Sequence, residues 1–309
     1  MSLRLRLLNK ALRWGIKTRL AKLTDPTVAR AELAFLAPRT LPMPPLSLVR
    51  KVALTPGRDA LWISNRPGSH PPAPGKVILY LHGGGFIAGS PRTHTAMLAR
   101  LSRLARVEVC APWWRLAPEH PFPAGLDDAT SAFHALMDRG YAAKDIILGG
   151  DSAGGNLVLS LLASLTQQGH TPCTTFALSP FTDFQFSGAS FQENAKSDVL
   201  LPAARAAEIA DWYLAGHDPD DPRAAPLNAR YDAPPPVYLQ YSDSEILRDD
   251  SRRMAAHLRA AGGTVHEDEW HDCPHVWALF DGIIPEAREA LIRVAGFVRD
   301  QFGIDSASR

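Results

Sequence analysis

From residue 77 onward the chain alternates short apolar runs with longer amphipathic stretches, and this rhythm narrows the folds open to it more than any other feature. Val77–Leu81 reads VILYL, and Val107–Cys110, Ile146–Leu148, Phe176–Leu178, Val237–Tyr241 and Val265–Trp270 form a series with it. Short runs that are apolar throughout, rather than at every second residue, fit strands covered on both faces. Between them, Thr93–Leu104, Leu126–Met137, Leu157–Leu165 and about Asp249–Ala261 carry helical patterns, and Ala287–Phe302 closes the chain as another. Strand alternating with helix predicts a mostly parallel sheet flanked by helices. Upstream, Val49–Leu54 and Leu61–Ser64 flank Pro56-Gly57 and predict a hairpin.

One stretch breaks the rhythm. Between Pro180 and Pro234 there is no strand pattern, one helical pattern at Ala203–Leu214, and many Pro, Asp and Asn residues. So long a strandless segment reads as an insertion over the sheet. With the N-terminal helices it predicts a cap. The expected division is 1–45 for the N-terminal cap helices, 46–180 and 234–309 for the two parts of the catalytic domain, and 181–233 for the cap insertion. The proline-rich stretch Pro38–Pro45 is expected to link the first helices to the rest of the chain.

Charge is unevenly placed. The 309 residues carry a net +1, but residues 1–22 hold seven Lys or Arg and no acid. The other 26 basic and 32 acidic residues give −6. Leu8, Leu12, Ile16, Leu20 and Leu23 recur at helical spacing through the basic stretch, so it predicts an amphipathic basic helix. Such a helix either packs its apolar stripe on the main domain or lies on a membrane surface. It has no secretory h-region, and nowhere does the chain hold about 20 consecutive apolar residues, so no stable membrane insertion is expected. The near-neutral total points to no nucleic-acid partner. Cys110, Cys173 and Cys273 are odd in number and far apart, which suits a reducing, cytoplasmic setting.

Chemistry concentrates in two glycine-rich motifs and the last loops. Gly150-Asp151-Ser152-Ala153-Gly154 lies between the strand Ile146–Leu148 and an apolar helix. That context is what an exposed serine nucleophile on a sharp strand-to-helix turn requires. His82-Gly83-Gly84-Gly85-Phe86 follows the strand Val77–Leu81. Backbone N–H groups of Gly83 and Gly84, with Ala153 after the nucleophile, are expected to hold a developing oxyanion. No phosphate-loop pattern is present. An elbow of this kind is followed in the chain by an acid and then a histidine. His266 lies within a strand pattern, whereas His271 and His275 follow the last strand, and His275 is taken as the base. Pro274 disfavours the helix that an i,i+4 metal pair of His271 and His275 needs, so neither metal nor cofactor is expected. The acid belongs on the loop after Val237–Tyr241. Asp249 and Asp250 have a helix-capping role available there, which leaves Asp243 and Glu245 evenly placed.

Taken together, HGGGF at 82–86, WRLAPE at 114–119 with Pro121-Phe122-Pro123-Ala124, GDSAGGN at 150–156 and Pro274-His275-Val276 resemble the hormone-sensitive-lipase-like esterases, bacterial family IV, in order and spacing over about residues 45–300. The resemblance implies an α/β-hydrolase fold with an eight-stranded, mostly parallel sheet flanked by helices under a helical cap. It also implies a serine carboxylesterase acting on small hydrophobic esters with short to medium acyl chains. The family's usual Asp-Pro-Leu-x-Asp stands here as Glu245-Ile246-Leu247-Arg248-Asp249, and this register places Glu245 at the catalytic acid. Trp114 replaces the family's usual Tyr. The resemblance allows a homodimer through an edge strand. Phe86, Trp113, Trp114, Trp212, Tyr213 and Trp14 are candidate pocket walls. A lactone hydrolase for cyclic terpene-type esters, or a deacetylase, would use the same three catalytic residues.

Overall fold

The computed structural model describes residues 1–65 and 73–304. Eight strands form one sheet: β1 Ser47–Thr55, β2 Arg58–Asn65, β3 Val77–Leu81, β4 Glu108–Pro112, β5 Ile146–Asp151, β6 Thr174–Leu178, β7 Val237–Ser242 and β8 Val265–Trp270. Their spatial order is β1-β2-β4-β3-β5-β6-β7-β8. The expected hairpin β1–β2 is antiparallel, as is β2 with β4, and β4 through β8 pair in parallel. All eight predicted strands are present.

The apolar runs are buried because the sheet is covered on both sides. Alternate residues of β3 serve two cores: Val77, Leu79 and Leu81 pack with the helices Ala124–Asp138 and Ser152–Gln167, and Ile78 and Tyr80 pack with Pro91–Ala105 and Pro285–Phe302. Every residue of β3, β5, β6 and β7 is buried. β8, at the edge, is half solvated, and His266 on it is exposed.

Residues 1–46 and 181–233 add no strand to the sheet. The N-terminal run is helical over Leu3–Ala11, wound as a π-helix over Leu12–Lys17, and helical again over Thr18–Lys22. Its predicted apolar stripe faces the body: Leu12 is buried and Leu8, Ile16, Leu20 and Leu23 are half-buried. Two of its cations are not free in water, however. Arg13 donates to the carbonyls of Lys196 and Ser197, and Lys17 to those of Ala195 and Asp198. The expected linker begins later than Pro38, because the helix Pro26–Thr40 runs through that proline. Pro38 removes one N–H, and the Leu41 N–H still closes the last turn on Ala37. In 181–233 the predicted helix is present as a 3₁₀ turn, Ala203–Arg205, leading into Ala206–Leu214; a short helix, Ser190–Glu193, was not legible in the sequence.

Candidate active site

Four loops at the carboxyl ends of β3, β5, β7 and β8 meet, as ligand sites in sheets of this kind do. Ser152 follows β5 and opens the helix Ser152–Gln167 at φ +53°. That left-handed conformation is strained for a residue with a side chain. Its neighbours hold it there. A Cβ at Gly154 would stand 2.0 Å from the Leu81 carbonyl oxygen, and one at Gly150 2.4 Å from that of Gly154. Both obstacles are backbone and cannot swing aside. Gly154→Ala is therefore expected to destabilise the fold by about 3 kcal/mol, lowering the melting temperature by several degrees. Gly15→Ala, where a Cβ meets nothing within 4 Å, should not lower it. Equal melting of the two variants would refute this reading of the elbow.

Beneath the elbow, Asp151 is buried and fully used. Its Oδ1 accepts hydrogen bonds from the Tyr80 hydroxyl (2.8 Å) and the Gly83 N–H (3.0 Å), and its Oδ2 from His94 Nε2 (3.2 Å). Burial would raise the Asp151 pKa, but the charge and hydrogen bond of His94 outweigh it and hold it below the ordinary carboxylate value. His82 lies at 2.8 Å from the Gly83 carbonyl through Nδ1 and stacks on Trp114. Burial and the neighbouring His94 depress the His82 pKa to about 3, so the ring is neutral and Nδ1 carries the proton that it donates. These contacts bear on the expected donor set of Gly83, Gly84 and Ala153. The Gly83 N–H is committed to Asp151, and Gly83 is not among the residues that line the cavity at Ser152. Gly84 and Gly85 donate to no acceptor among the described residues, and Gly85 and Ala153 line the cavity beside Ser152.

The candidate carboxylates meet different histidines. Glu245, 1% exposed, accepts a 2.6 Å hydrogen bond from His275 Nδ1 through Oε2. Its other oxygen accepts from the Ser242 N–H and the Ser179 hydroxyl, both at 2.8 Å. Asp243 instead pairs with the exposed His271 at 2.6 Å and accepts from the Asp272 N–H. Burial lowers the His275 pKa, but the hydrogen bond and charge of Glu245 raise it further, with Asp198 and Asp151 adding to the rise. The net direction is upward. With Nδ1 given to Glu245, Nε2 is the remaining ring nitrogen. It is buried and has no hydrogen-bond partner among the described residues. Asp249 and Asp250 do not cap their own helix. They accept from the Ser190 and Thr182 N–H groups and tie the insertion to the body.

Residues missed in the sequence hold the acid loop. Asn194 donates to the carbonyls of Asp243 and Glu245, Asp198 accepts from the Ile246 N–H, and Ser197 donates to the Ser244 carbonyl. This is the segment that Arg13 and Lys17 grip from the other side. Arg30, on the helix Pro26–Thr40, donates to the carbonyls of Ile87 and Ala117 and pairs with Glu119. The Arg30 hydrogen bond is the main reason the Glu119 pKa falls to about 2.

A cavity of about 100 Å³ opens at Ser152. Its walls include Phe181, Phe184, Phe186 and Phe191 after β6 and, from the insertion, Leu201, Pro202, Ala206, Ile209 and Ala210, with Ile246, Leu247 and Phe86; among the described lining residues Ser152 has the only polar side chain. Of the aromatic candidates, Phe86 lines this cavity and the others do not. Trp113 packs in the opposite core near Lys51. Trp114 is buried against His82, and Trp212 packs from outside beside Arg205. Tyr213 stacks behind Phe86 at 3.8 Å between centroids. Trp14 is 77% exposed. The phenylalanines had a legible signal, four within eleven residues directly after a strand, that aromatic counting elsewhere obscured.

A mostly parallel eight-stranded sheet with a serine on the sharp turn after β5, and a carboxylate–histidine pair on the loops after its last two strands, has the architecture of the α/β-hydrolase fold. A family model described as the α/β hydrolase fold matches residues 78–279. An acetyl-hydrolase of Streptomyces hygroscopicus is 35% identical over 230 residues, 74% of this chain and 77% of that protein. An esterase of Acinetobacter venetianus is 35% identical over 72% of this chain and 74% of its own. Among solved structures, an esterase from the bacterial hormone-sensitive lipase family superposes with a TM-score of 0.90 at 36% identity over 99% of both chains. The esterase EstE5, in crystals soaked with p-nitrophenyl butyrate, gives 0.91 at 32% over 98% of this chain and all of that one. The chain belongs to the hormone-sensitive-lipase-like esterases of the α/β-hydrolase fold, and it is a carboxylic ester hydrolase. No helix among the described residues is long and apolar enough to cross a membrane.

Proposed function

We propose that the protein is a serine carboxylesterase that hydrolyses short- to medium-chain esters through an acyl-enzyme. Ser152 attacks the ester carbonyl while His275 Nε2 takes its proton. Glu245 fixes the tautomer at Nδ1 and stabilises the imidazolium. Backbone N–H groups of Gly84, Gly85 and Ala153 receive the oxyanion, with Gly85 taking the place first expected of Gly83. His275 then protonates the leaving alcohol, and water attacks the acyl-enzyme by the same route. Residues 181–233 act as a cap that completes the apolar chamber, and residues 1–45 brace that cap through Arg13, Lys17 and the Leu23 carbonyl that Arg205 holds. The observation that carries this reading is the buried 2.6 Å Glu245–His275 bond close to a chamber whose one polar side chain is Ser152.

The small cavity favours short acyl groups, and the acetyl-hydrolase named among the relatives supports deacetylation as a second reading with the same machinery. Hydrolysis of p-nitrophenyl esters from acetate to palmitate tests the proposal. Activity is expected to peak at acyl chains of roughly two to six carbons and to fall steeply beyond, because longer chains exceed a preformed pocket whose walls resist expansion. A maximum at palmitate would overturn the assignment of chain length.

A further inference from the structure

The N-terminal helical run carries two apolar faces, and the fold uses one of them. Leu5 and Leu12 are buried against the body. On the opposite side Leu3, Leu7 and Trp14 are 71, 58 and 77% exposed. At about 100° per residue Leu3 and Leu7 stand roughly 40° apart, and Trp14 follows on the π-wound turn Leu12–Lys17. Lys10 lies about 20° outside the arc between Leu3 and Leu7, Arg4 and Arg6 lie about 60° beyond its two ends, and all three are exposed. No carboxylate pairs with Arg4, Arg6, Lys10 or Lys22 among the described residues, whereas Arg19 pairs with Glu32, and Arg13 and Lys17 hold carbonyls. The residue at the start of the run is anchored: the Ser2 N–H donates to Glu286 at 2.6 Å, and its hydroxyl accepts from the Leu5 N–H. The exposed stripe is therefore held rigidly on the body, with its ordering cost already met by folding.

We propose that this face docks the enzyme on an anionic lipid surface. An exposed indole beyond two exposed leucines, with Arg4, Arg6 and Lys10 beside them, matches the polar–apolar boundary of a bilayer. The cations supply attraction to anionic headgroups, and Leu3, Leu7 and Trp14 supply shallow apolar burial. A second copy of the chain fits this face poorly. Two-fold pairing would set the exposed cations Arg4, Arg6 and Lys10, none of which has a carboxylate partner among the described residues, against their own copies.

Co-sedimentation of the full chain with vesicles tests this, comparing phosphatidylcholine alone with phosphatidylcholine containing phosphatidylglycerol. Binding is expected only with the anionic lipid, weakening at least about tenfold in about 0.5 M salt. Arg6→Glu/Lys10→Glu and Leu7→Ala/Trp14→Ala should each reduce partitioning by at least about tenfold. Hydrolysis of p-nitrophenyl acetate in solution should be unchanged in both, which shows that the variants are folded. The proposal fails if the wild type ignores anionic vesicles, or binds neutral ones equally. It also fails if either variant partitions like the wild type, or if the variants instead abolish a concentration-dependent dimer.

Discussion

Ser152→Ala should lower kcat for ester hydrolysis by roughly 10⁶ without loss of the fold. The magnitude follows from the loss of the covalent route. Without the hydroxyl there is no acyl-enzyme, and His275 and the loop amides can act only on adventitious water. Retention of the fold follows from the surroundings. The Ser152 backbone carbonyl, which accepts from the Phe181 N–H, is untouched, and the side chain faces the cavity. Ser152→Gly should be equally inactive but should melt higher, because glycine adopts φ +53° without the strain a Cβ imposes. Thermal melts beside kcat measurements check both statements. A serine-free variant with a hundredth of wild-type kcat would contradict the first, and a lower-melting Ser152→Gly the second.

Glu245→Gln should lower kcat by roughly 10⁴, and Asp243→Asn should leave it within a fewfold of wild type. Glu245 is buried and holds His275 Nδ1, whereas Asp243 holds a histidine on the surface. The amide of glutamine can still occupy the site, but it removes the charge that stabilises an imidazolium and can favour the wrong tautomer. The pH profile carries an independent signature. His275 must be neutral to accept the serine proton, so activity falls as pH drops through its pKa. Glu245 raises that pKa. Removing the charge lowers it, so the acid limb of kcat/KM in Glu245→Gln should move to lower pH as the plateau falls. The acid limb in Asp243→Asn should stay in place. If Asp243→Asn is the crippled variant, the assignment of the acid is wrong.

The sequence made the sheet legible because its inner strands are covered on both faces, so VILYL at 77–81 and its counterparts could be little else. The sharp turn at Ser152 was legible because it needs glycines at both flanks, and the position of His275 on a loop after the last strand was legible from Pro274 before it. Other features depend on directions that a string of letters does not carry. Gly83, Gly84 and Gly85 are chemically identical, and only the capture of the first amide by Asp151 separates them. Asp243 and Glu245 are two residues apart, and which one meets His275 depends on how the loop turns under Asn194 and Asp198. Trp113, Trp114, Trp212 and Tyr213 are apolar wherever they sit, so their type could not distinguish a wall from the packing behind it. The grip of Arg13 and Lys17 on carbonyls 183 and 178 positions away had no local signal at all.

The central claim is that catalysis runs through a covalent bond to Ser152. Intact-mass and peptide mass spectrometry after brief treatment with a fluorophosphonate ester tests it most directly. Attack by the serine oxygen on phosphorus expels fluoride and leaves a stable phosphonyl ester in place of the transient acyl group. The account predicts one adduct per chain, on the peptide that contains Ser152, formed in step with loss of esterase activity and absent from Ser152→Ala. Full inactivation with the adduct on another residue, or an active enzyme that never acquires one, would contradict it.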